Sequence, residues 1–236
     1  MLGTGVGLSV ERKYVEQLPK VNTHIQLLNR AYEPVKKADR TEHTQVMVLN
    51  NSAIELIIGD SKSGWSEAIR HYFDIVTSKQ YADIKYIFIN YNNVRPAGER
   101  LKTFGGFASG HNAILQMFEK INKLFIRRAK GEQWYKLRPL DALDIATTIA
   151  ENVVAGGTRR SAEIVFCDPD ETEVLNAKSN LYINEGGQWK PNQEVIHRSL
   201  SNNTVFYQER PTREQLHTQF ETMRYSGEPK LYCWAI

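Results

Sequence analysis

The feature that most constrains this chain is its alternation between two hydrophobic periods. The apolar runs Val46-Met47-Val48-Leu49 and Ala53-Ile54-Glu55-Leu56-Ile57-Ile58 read as strands. After the polar turn at residues 59–64, Trp65, Ile69, Tyr72, Phe73 and Val76 recur at helical spacing and fall on one face. Residues 84–91 return to a strand pattern. Ile114, Leu115, Phe118, Ile121, Leu124 and Phe125 mark a second helix. Leu143, Ala146, Ile149, Ala150 and Val153 mark a third, with Asp141 as its expected N-cap and Gly156-Gly157 as its stop. Residues 162–166 and 201–207 are further predicted strands, and 212–224 is a polar helix. Strands separated by helices of this length pair in parallel, so the predicted fold class is α/β. Residues 21–45 have no strong period, and 184–188 reads as a loop with two glycines.

Composition narrows the function classes. With 236 residues, 41% hydrophobic and 24% charged, the chain can bury enough apolar surface to fold. A net charge of +3 gives no reason to expect nucleic acid. The densest basic run, Arg127, Arg128 and Lys130, reads as a solvated helix end. No window approaches ~18 consecutive apolar residues, so no membrane-spanning helix is expected. The first residues, Met1-Leu2-Gly3-Thr4-Gly5, lack the basic and apolar regions of a secretory signal. Two cysteines, Cys167 and Cys233, exclude a disulfide scaffold and fit a reducing, cytoplasmic setting. The six histidines form no His-Glu-x-x-His pattern, and no metal site is expected.

Four segments carry chemistry worth weighing. Gly3-Thr4-Gly5-Val6-Gly7 is a glycine loop with no strand before it, as in a chain that begins within a fold. Gly59-Asp60-Ser61-Lys62-Ser63-Gly64-Trp65-Ser66 misses the phosphate-binding Gly-x4-Gly-Lys-Ser/Thr pattern, because Trp65 stands where the lysine belongs. Its helix N-terminus suits an anion or a sugar hydroxyl; the simpler reading is a turn before a capped helix. Gly156-Gly157-Thr158-Arg159-Arg160-Ser161 is either a phosphate-reading loop or a helix C-cap whose arginines face the dipole. Ser201-Asn202-Asn203-Thr204 either bonds a ligand or makes an Asx turn into a strand. Cys167, before Asp168-Pro169-Asp170, reads as a buried structural thiol.

In order along the chain, Met1 to Glu11, Gly59 to Trp65, Arg95-Pro96-Ala97-Gly98, Phe104 to Gly110, Val153 to Glu163 and Ser201 to Thr204 form a series. The series resembles the catalytic chain of the adenosylcobalamin-dependent (class II) ribonucleoside-triphosphate reductases. The resemblance implies part of a ten-stranded α/β barrel, roughly its first half. It implies a single partial domain over residues 1–236, with residues 15–60 as a small insertion or effector-binding subregion. In the cobalamin class such an insertion imitates a partner subunit.

The implied reaction converts ribonucleoside triphosphates to deoxyribonucleotides through a thiyl radical, with adenosylcobalamin as cofactor. The finger-loop pattern that carries the radical cysteine, Asn-Pro-Cys-x-Glu, occurs nowhere in these residues. Cys167 and Cys233 match none of the family's three redox cysteines. No catalytic residue is therefore assigned, and the chain alone is expected to be inactive. The resemblance assigns Gly3, Gly5, Gly7, Ser9, Asp60 and Ser61 to effector binding. It makes Gly156, Gly157, Thr158, Arg159, Arg160 and Ser161 a specificity loop, and places Ser201, Asn202 and Asn203 near substrate. Implied partners are a ribonucleoside triphosphate, a deoxynucleoside triphosphate effector, the remaining reductase chain and a thioredoxin-type or dithiol reductant, with no membrane or nucleic acid. The competing reading is a non-catalytic deoxynucleotide-binding regulatory module.

Overall fold

The computed structural model describes residues 5–100, 106–155 and 163–233. In chain order the first elements are β1 (Val6–Ser9), α1 (Arg12–Val15), β2 (Val21–Asn22), β3 (Gln26–Asn29), β4 (Gln45–Asn50) and β5 (Ala53–Ile57). Then come α2 (Lys62–Thr77), β6 (Tyr86–Asn90), α3 (Asn112–Ala129), β7 (Trp134–Tyr135) and α4 (Pro139–Ala155). The last are β8 (Glu163–Cys167), α5 (Thr172–Leu175), β9 (Tyr182–Glu185), β10 (Gln188–Pro191), β11 (Ser201–Tyr207), α6 (Arg213–Ser226) and β12 (Lys230–Cys233). The chain divides into two compact units.

One unit is built mainly from residues 19–136. Its sheet has the order β3-β6-β5-β4; β3, β6 and β5 run parallel, and β4 is antiparallel to β5 at one edge. Alternation decides what each strand buries: Ile87 and Ile89, Ile54 and Leu56 point into the core, while Tyr86 and Phe88 take the other face. The apolar stripes of α2 and α3 complete that core through Tyr72, Ile75, Ile114, Phe118 and Ile121. Tyr72 meets Phe118 edge-on at 5.3 Å, and its hydroxyl donates to Asn122 Oδ1 at 3.3 Å, so the polar tip of a buried ring is satisfied. Helix α3 ends where Lys130 and Gly131 turn to positive φ.

The other unit comprises residues 3–18, 137–151 and 160–236. Its sheet, β1-β8-β11-β12, is parallel throughout. Val165, Cys167, Val205 and Tyr207 lie on the buried face, with Leu140, Leu143 and Val174 also in the core. On the opposite face Phe166, Phe206 and Tyr232 form a ring cluster with centroids 5.8–5.9 Å apart. Helix α6 starts with a capping box, Thr212 and Gln215 each bonding the other's backbone, and ends at Gly227 with φ of 70°.

Several expectations change. The described part of the opening glycine segment is strand, not loop: from Val6 onward it pairs in register with β8. Residues 21–45, which lack a period, hold β2 and β3, because pairing to β7 and β6 supplies the hydrogen bonds that local pattern does not announce. Asp141 is not the N-cap of α4. It lies in the first turn, buried, and its Oδ2 accepts from the Arg138 backbone N–H at 3.0 Å. Of residues 184–188 only Gly186 and Gly187 form a turn, both at positive φ; Asn184, Glu185 and Gln188 are paired in the hairpin β9–β10. The expected stop of α4 at Gly156-Gly157 lies outside the described residues.

Candidate functional site

The resemblance-based positions fall in four places. Gly3 and the whole loop Gly156, Gly157, Thr158, Arg159, Arg160 and Ser161 lie outside the described residues. Gly5, Gly7 and Ser9 belong to the unit containing β1; Asp60 and Ser61 belong to the unit built on residues 19–136. Ser201, Asn202 and Asn203 open β11.

The loop after β5 is closed by its own chain. Ser61 is the N-cap of α2: its Oγ accepts from Gly64 N at 2.9 Å and donates to the Glu42 carbonyl at 2.6 Å. Thr44 Oγ1 accepts from Gly59 N at 3.0 Å and donates to the Gly64 carbonyl at 2.6 Å. Asp60 N donates to the Thr41 carbonyl. Residues 41–44 thus lie across the glycine loop. They approach so closely that a Cβ on Gly59 or Gly64 would sit 2.3 or 2.4 Å from the Glu42 oxygen. The glycines answer to a backbone crossing, and the loop's N–H groups at 59, 60 and 64 are already bonded within the protein. This is the geometry of the capped-helix reading.

Asp60 faces two arginines. Its carboxylate accepts from Arg95 N at 3.1 Å and from Arg95 Nε at 2.9 and 3.1 Å, and Arg40 Nη1 lies 3.6 Å away. Arg40 also pairs with Glu99 at 2.8 Å, and that hydrogen bond draws the Glu99 carboxyl below the usual glutamate range. Next in the chain after these loops, the His111 ring stacks on Tyr32 at 3.8 Å; burial pushes its imidazole pKa down. The Tyr32 hydroxyl donates to the Val94 carbonyl at 2.7 Å. Most of these groups follow the carboxyl ends of the parallel strands β3, β5 and β6, where open α/β sheets place their ligand crevices. The sequence reading singled out Asp60 and the Arg95 turn but missed Arg40, Glu99, Tyr32 and His111. Asp60, in its glycine segment, and Arg95, in a Pro-Gly turn, had a local signal; the others had none.

In β1, Ser9 Oγ donates to Glu11 Oε2 at 2.7 Å and accepts from Glu11 N at 3.2 Å. Gly7 is exposed, and nothing lies within 4 Å of a Cβ built there. Arg12 is tied to Asp168 and Asp170, joining the end of β1 to the turn after β8.

Strand alternation separates the β11 residues. Ser201 and Asn203 are buried on one face; the Ser201 hydroxyl bonds Asn203 Oδ1 at 2.8 Å and the Arg198 carbonyl at 3.0 Å. Asn203 N donates to Glu228 Oε2 at 3.2 Å, which Lys178 Nζ meets at 2.8 Å. Lys178 also donates to the Ser201 carbonyl. Asn202 shares the opposite face with Thr204 and Phe206. A cavity of about 1010 Å³ lies beside Lys178, Asn203 and Glu228, walled by Trp189 and Tyr182. Just upstream of β11, the buried Asp144 carboxylate holds Arg198 and His197.

Among the described residues, no group of three or more His, Cys, Asp or Glu side chains is placed to hold a metal ion. Cys167 is fully buried, 3.7 Å from the Thr204 carbonyl, and burial pushes its pKa up to about 12, which suits a structural thiol.

These features meet a consistent set of relatives. Residues 20–125 match the family model described as "B12-dependent ribonucleotide reductase, insertion domain". The adenosylcobalamin-dependent ribonucleoside-triphosphate reductase of Lacticaseibacillus paracasei is 31% identical over 218 residues, covering 87% of this chain and 27% of its own. The like-named protein of Lactobacillus acidophilus is 30% identical over 213 residues, covering 86% of this chain and 28% of its own. The chain is similar to the B12-dependent ribonucleotide reductases over most of its own length. A crystal structure of a B12-dependent (class II) ribonucleotide reductase superposes with a TM-score of 0.75 at 23% identity, over 99% of this chain and 31% of that one. The fold is therefore that of a class II reductase segment, α/β with parallel and mixed sheets. The chain spans about 28% of the length of the reductases it matches.

Proposed function

We propose that this chain forms the effector- and substrate-facing part of an adenosylcobalamin-dependent ribonucleoside-triphosphate reductase, an enzyme that makes deoxyribonucleotides by thiyl-radical chemistry. The observation that carries the reading is similarity to reductases of that name across 86–87% of the chain. Adenosylcobalamin supplies the radical in the whole protein. The described residues do not fit a reaction at that cofactor, since the Cys167 thiol is fully buried against the Thr204 carbonyl.

In this reading the resemblance assigns Gly3, Gly5, Gly7 and Ser9, and separately Asp60 and Ser61, to effector binding, and residues 156–161 to relaying effector identity to the substrate base. Asn202, on the β11 face away from the buried Ser201–Asn203 pair, presents its amide to substrate. Ser201 and Asn203 hold that strand in place. Residues 15–60 form a small insertion or an effector-binding subregion. The partners are a ribonucleoside triphosphate, a deoxynucleoside triphosphate, the rest of the reductase and a dithiol reductant.

The test is calorimetric titration of the purified chain with each deoxynucleoside triphosphate, with the matching nucleoside as control. Binding that requires the triphosphate is the expected result. Heats indistinguishable from buffer for all four would overturn the assignment of this segment to effector contact. Incubation with adenosylcobalamin, a ribonucleoside triphosphate and dithiothreitol should yield no deoxynucleotide, because the chain lacks the radical cysteine.

A further inference from the structure

The cavity of about 1010 Å³ beside β11 lies wholly within one unit, on the side of the strand away from Asn202. One wall is the β9–β10 hairpin. Tyr182 is opposite Pro191 and Trp189 is opposite Asn184, so alternation puts both rings on one face, and both line the cavity. They are 55% and 71% exposed, two large rings left open to solvent. Another wall is α6, where Glu214, His217, Thr218 and Glu221 recur at helical spacing and share a face. Glu214 and Glu221 stand two turns apart, roughly 10 Å along the axis. Neither carboxylate has an ion-pair or hydrogen-bond partner among the described residues. The floor is polar and incomplete. Lys178 Nζ pairs with Glu228 at 2.8 Å and donates to the Ser201 carbonyl, which leaves its third N–H. Asn203 is 2% exposed; its Oδ1 accepts from Ser201 Oγ at 2.8 Å, but its Nδ2 meets no acceptor among the described residues. A buried donor left unmet is costly and calls for an acceptor.

We propose that this cleft binds a basic amino acid, arginine fitting best, with its guanidinium on Trp189 and the α6 carboxylates and its α-carboxylate on the Asn203 amide and Lys178. Charge sets the sign of the ligand. Three carboxylates, Glu214, Glu221 and Glu228, line the cavity against one lysine, so a phosphate-bearing nucleotide is repelled. The open rings add attraction for a cation: a guanidinium lies flat on an indole face and still donates from its edge to carboxylates. Other cations and other flat ligands fit less well. A linear polyamine satisfies the walls but brings no acceptor to Asn203 Nδ2. A neutral nucleoside stacks on the rings but leaves the α6 charge unanswered. A basic amino acid answers both, with a cation at one end, a carboxylate at the other and an apolar stem between them. Its α-ammonium falls to Glu228, beside Lys178. The site stands apart from the effector and substrate assignments and needs neither, since Asn202 is on the opposite face of β11.

The experiment is titration of the purified chain with L-arginine, L-citrulline and agmatine, read by calorimetry and by tryptophan fluorescence. Saturable arginine binding with a fluorescence change is expected. Citrulline keeps the amino-acid end and loses the charge; agmatine keeps the guanidinium and loses the carboxylate. Each should bind about tenfold more weakly, the loss of one charge-assisted contact. Glu221→Gln should weaken arginine by a similar factor, and Trp189→Leu should remove the fluorescence change. Both positions are exposed, so the circular dichroism spectra should match the parent. Absence of arginine binding would overturn the proposal. Citrulline binding as tightly as arginine would do the same, because the carboxylates would then read no charge. Agmatine equal to arginine would overturn the amino-acid assignment, since nothing would then meet the Asn203 amide. Arginine binding untouched by either variant would place the ligand elsewhere and also sink the proposal.

Discussion

The Asp144 carboxylate grips the Arg198 guanidinium with both oxygens, Oδ1 on Nε at 2.5 Å and Oδ2 on Nη2 at 2.8 Å. His197 Nε2 approaches the same Oδ1 at 3.3 Å, and Arg198 Nη1 donates to the Ala177 carbonyl at 2.9 Å. One helix residue thereby anchors the turn that delivers the chain into β11. All three side chains are buried. Removing one member of a buried pair leaves an uncompensated charge, which costs more than the pair contributes.

Arg198→Ala and Asp144→Ala should each destabilise the unit by about 3–5 kcal/mol. Urea unfolding followed by tyrosine and tryptophan signals would measure this; a loss within experimental error would show that water reaches the site.

The pair also predicts an acid response. Burial pushes the Asp144 carboxyl up, but hydrogen bonds from His197 and Arg198 and the guanidinium charge outweigh it, so the group lies below the ordinary aspartate range. A depressed folded-state value means the unfolded chain takes up this proton first as pH falls. The stabilisation is complete above the ordinary aspartate value and disappears as pH drops through the lowered one. Asp144→Asn should flatten that part of the stability–pH curve, and thermal melts below pH ~4 would reveal it. An equally steep acid limb in the variant would assign the effect to other carboxylates.

Gly59 and Gly7 make opposite predictions. A methyl group on Gly59 meets the Glu42 carbonyl at 2.3 Å, so Gly59→Ala should cost about 1–3 kcal/mol through overpacking. Gly7 has nothing within 4 Å of the added carbon, so Gly7→Ala should change stability by less than about 0.5 kcal/mol. Any weakening of deoxynucleotide binding in Gly7→Ala then reports ligand approach to β1, and paired melts and titrations separate the two effects.

The two neighbouring asparagines should also diverge. Asn203 is buried and accepts from Ser201, so Asn203→Ala leaves polar groups unmet and should cost about 1–3 kcal/mol. Asn202 is on the opposite face, and Asn202→Ala should leave the melting temperature near that of the parent. Equal losses in both would mean that the β11 faces are not distinguished.

Cys167 should resist alkylation. Its thiol is fully buried, and burial pushes its pKa up to about 12, so little thiolate forms or meets reagent at pH 8. Peptide mapping after iodoacetamide should find Cys167 unmodified in the folded chain and modified in urea. Rapid labelling under native conditions would count against the packing around β8.

Local pattern alone placed α2, α3, α6 and β11, because a helical or strand stripe records which face a segment will bury. Trp65 to Val76 and Ile114 to Phe125 are legible for that reason. The order of glycine and Ser-Asn-Asn segments was likewise sufficient to point to the reductases that the chain matches at about 30% identity. What occupies the candidate site was not legible. The groups that close the Gly59 loop, Thr41, Glu42 and Thr44, come from a segment without periodicity, and Thr44 reaches Gly59 across 15 residues. Arg40 finds Glu99 across 59 positions, and Asp144 finds Arg198 across 54. A carboxylate or a glycine in sequence is the same whether it awaits a ligand or is already met by the chain. Only the tertiary structure shows which of these groups the chain itself meets, because hydrogen bonds and close backbone crossings are set by distance in space, while sequence periodicity encodes only which side of an element faces inward.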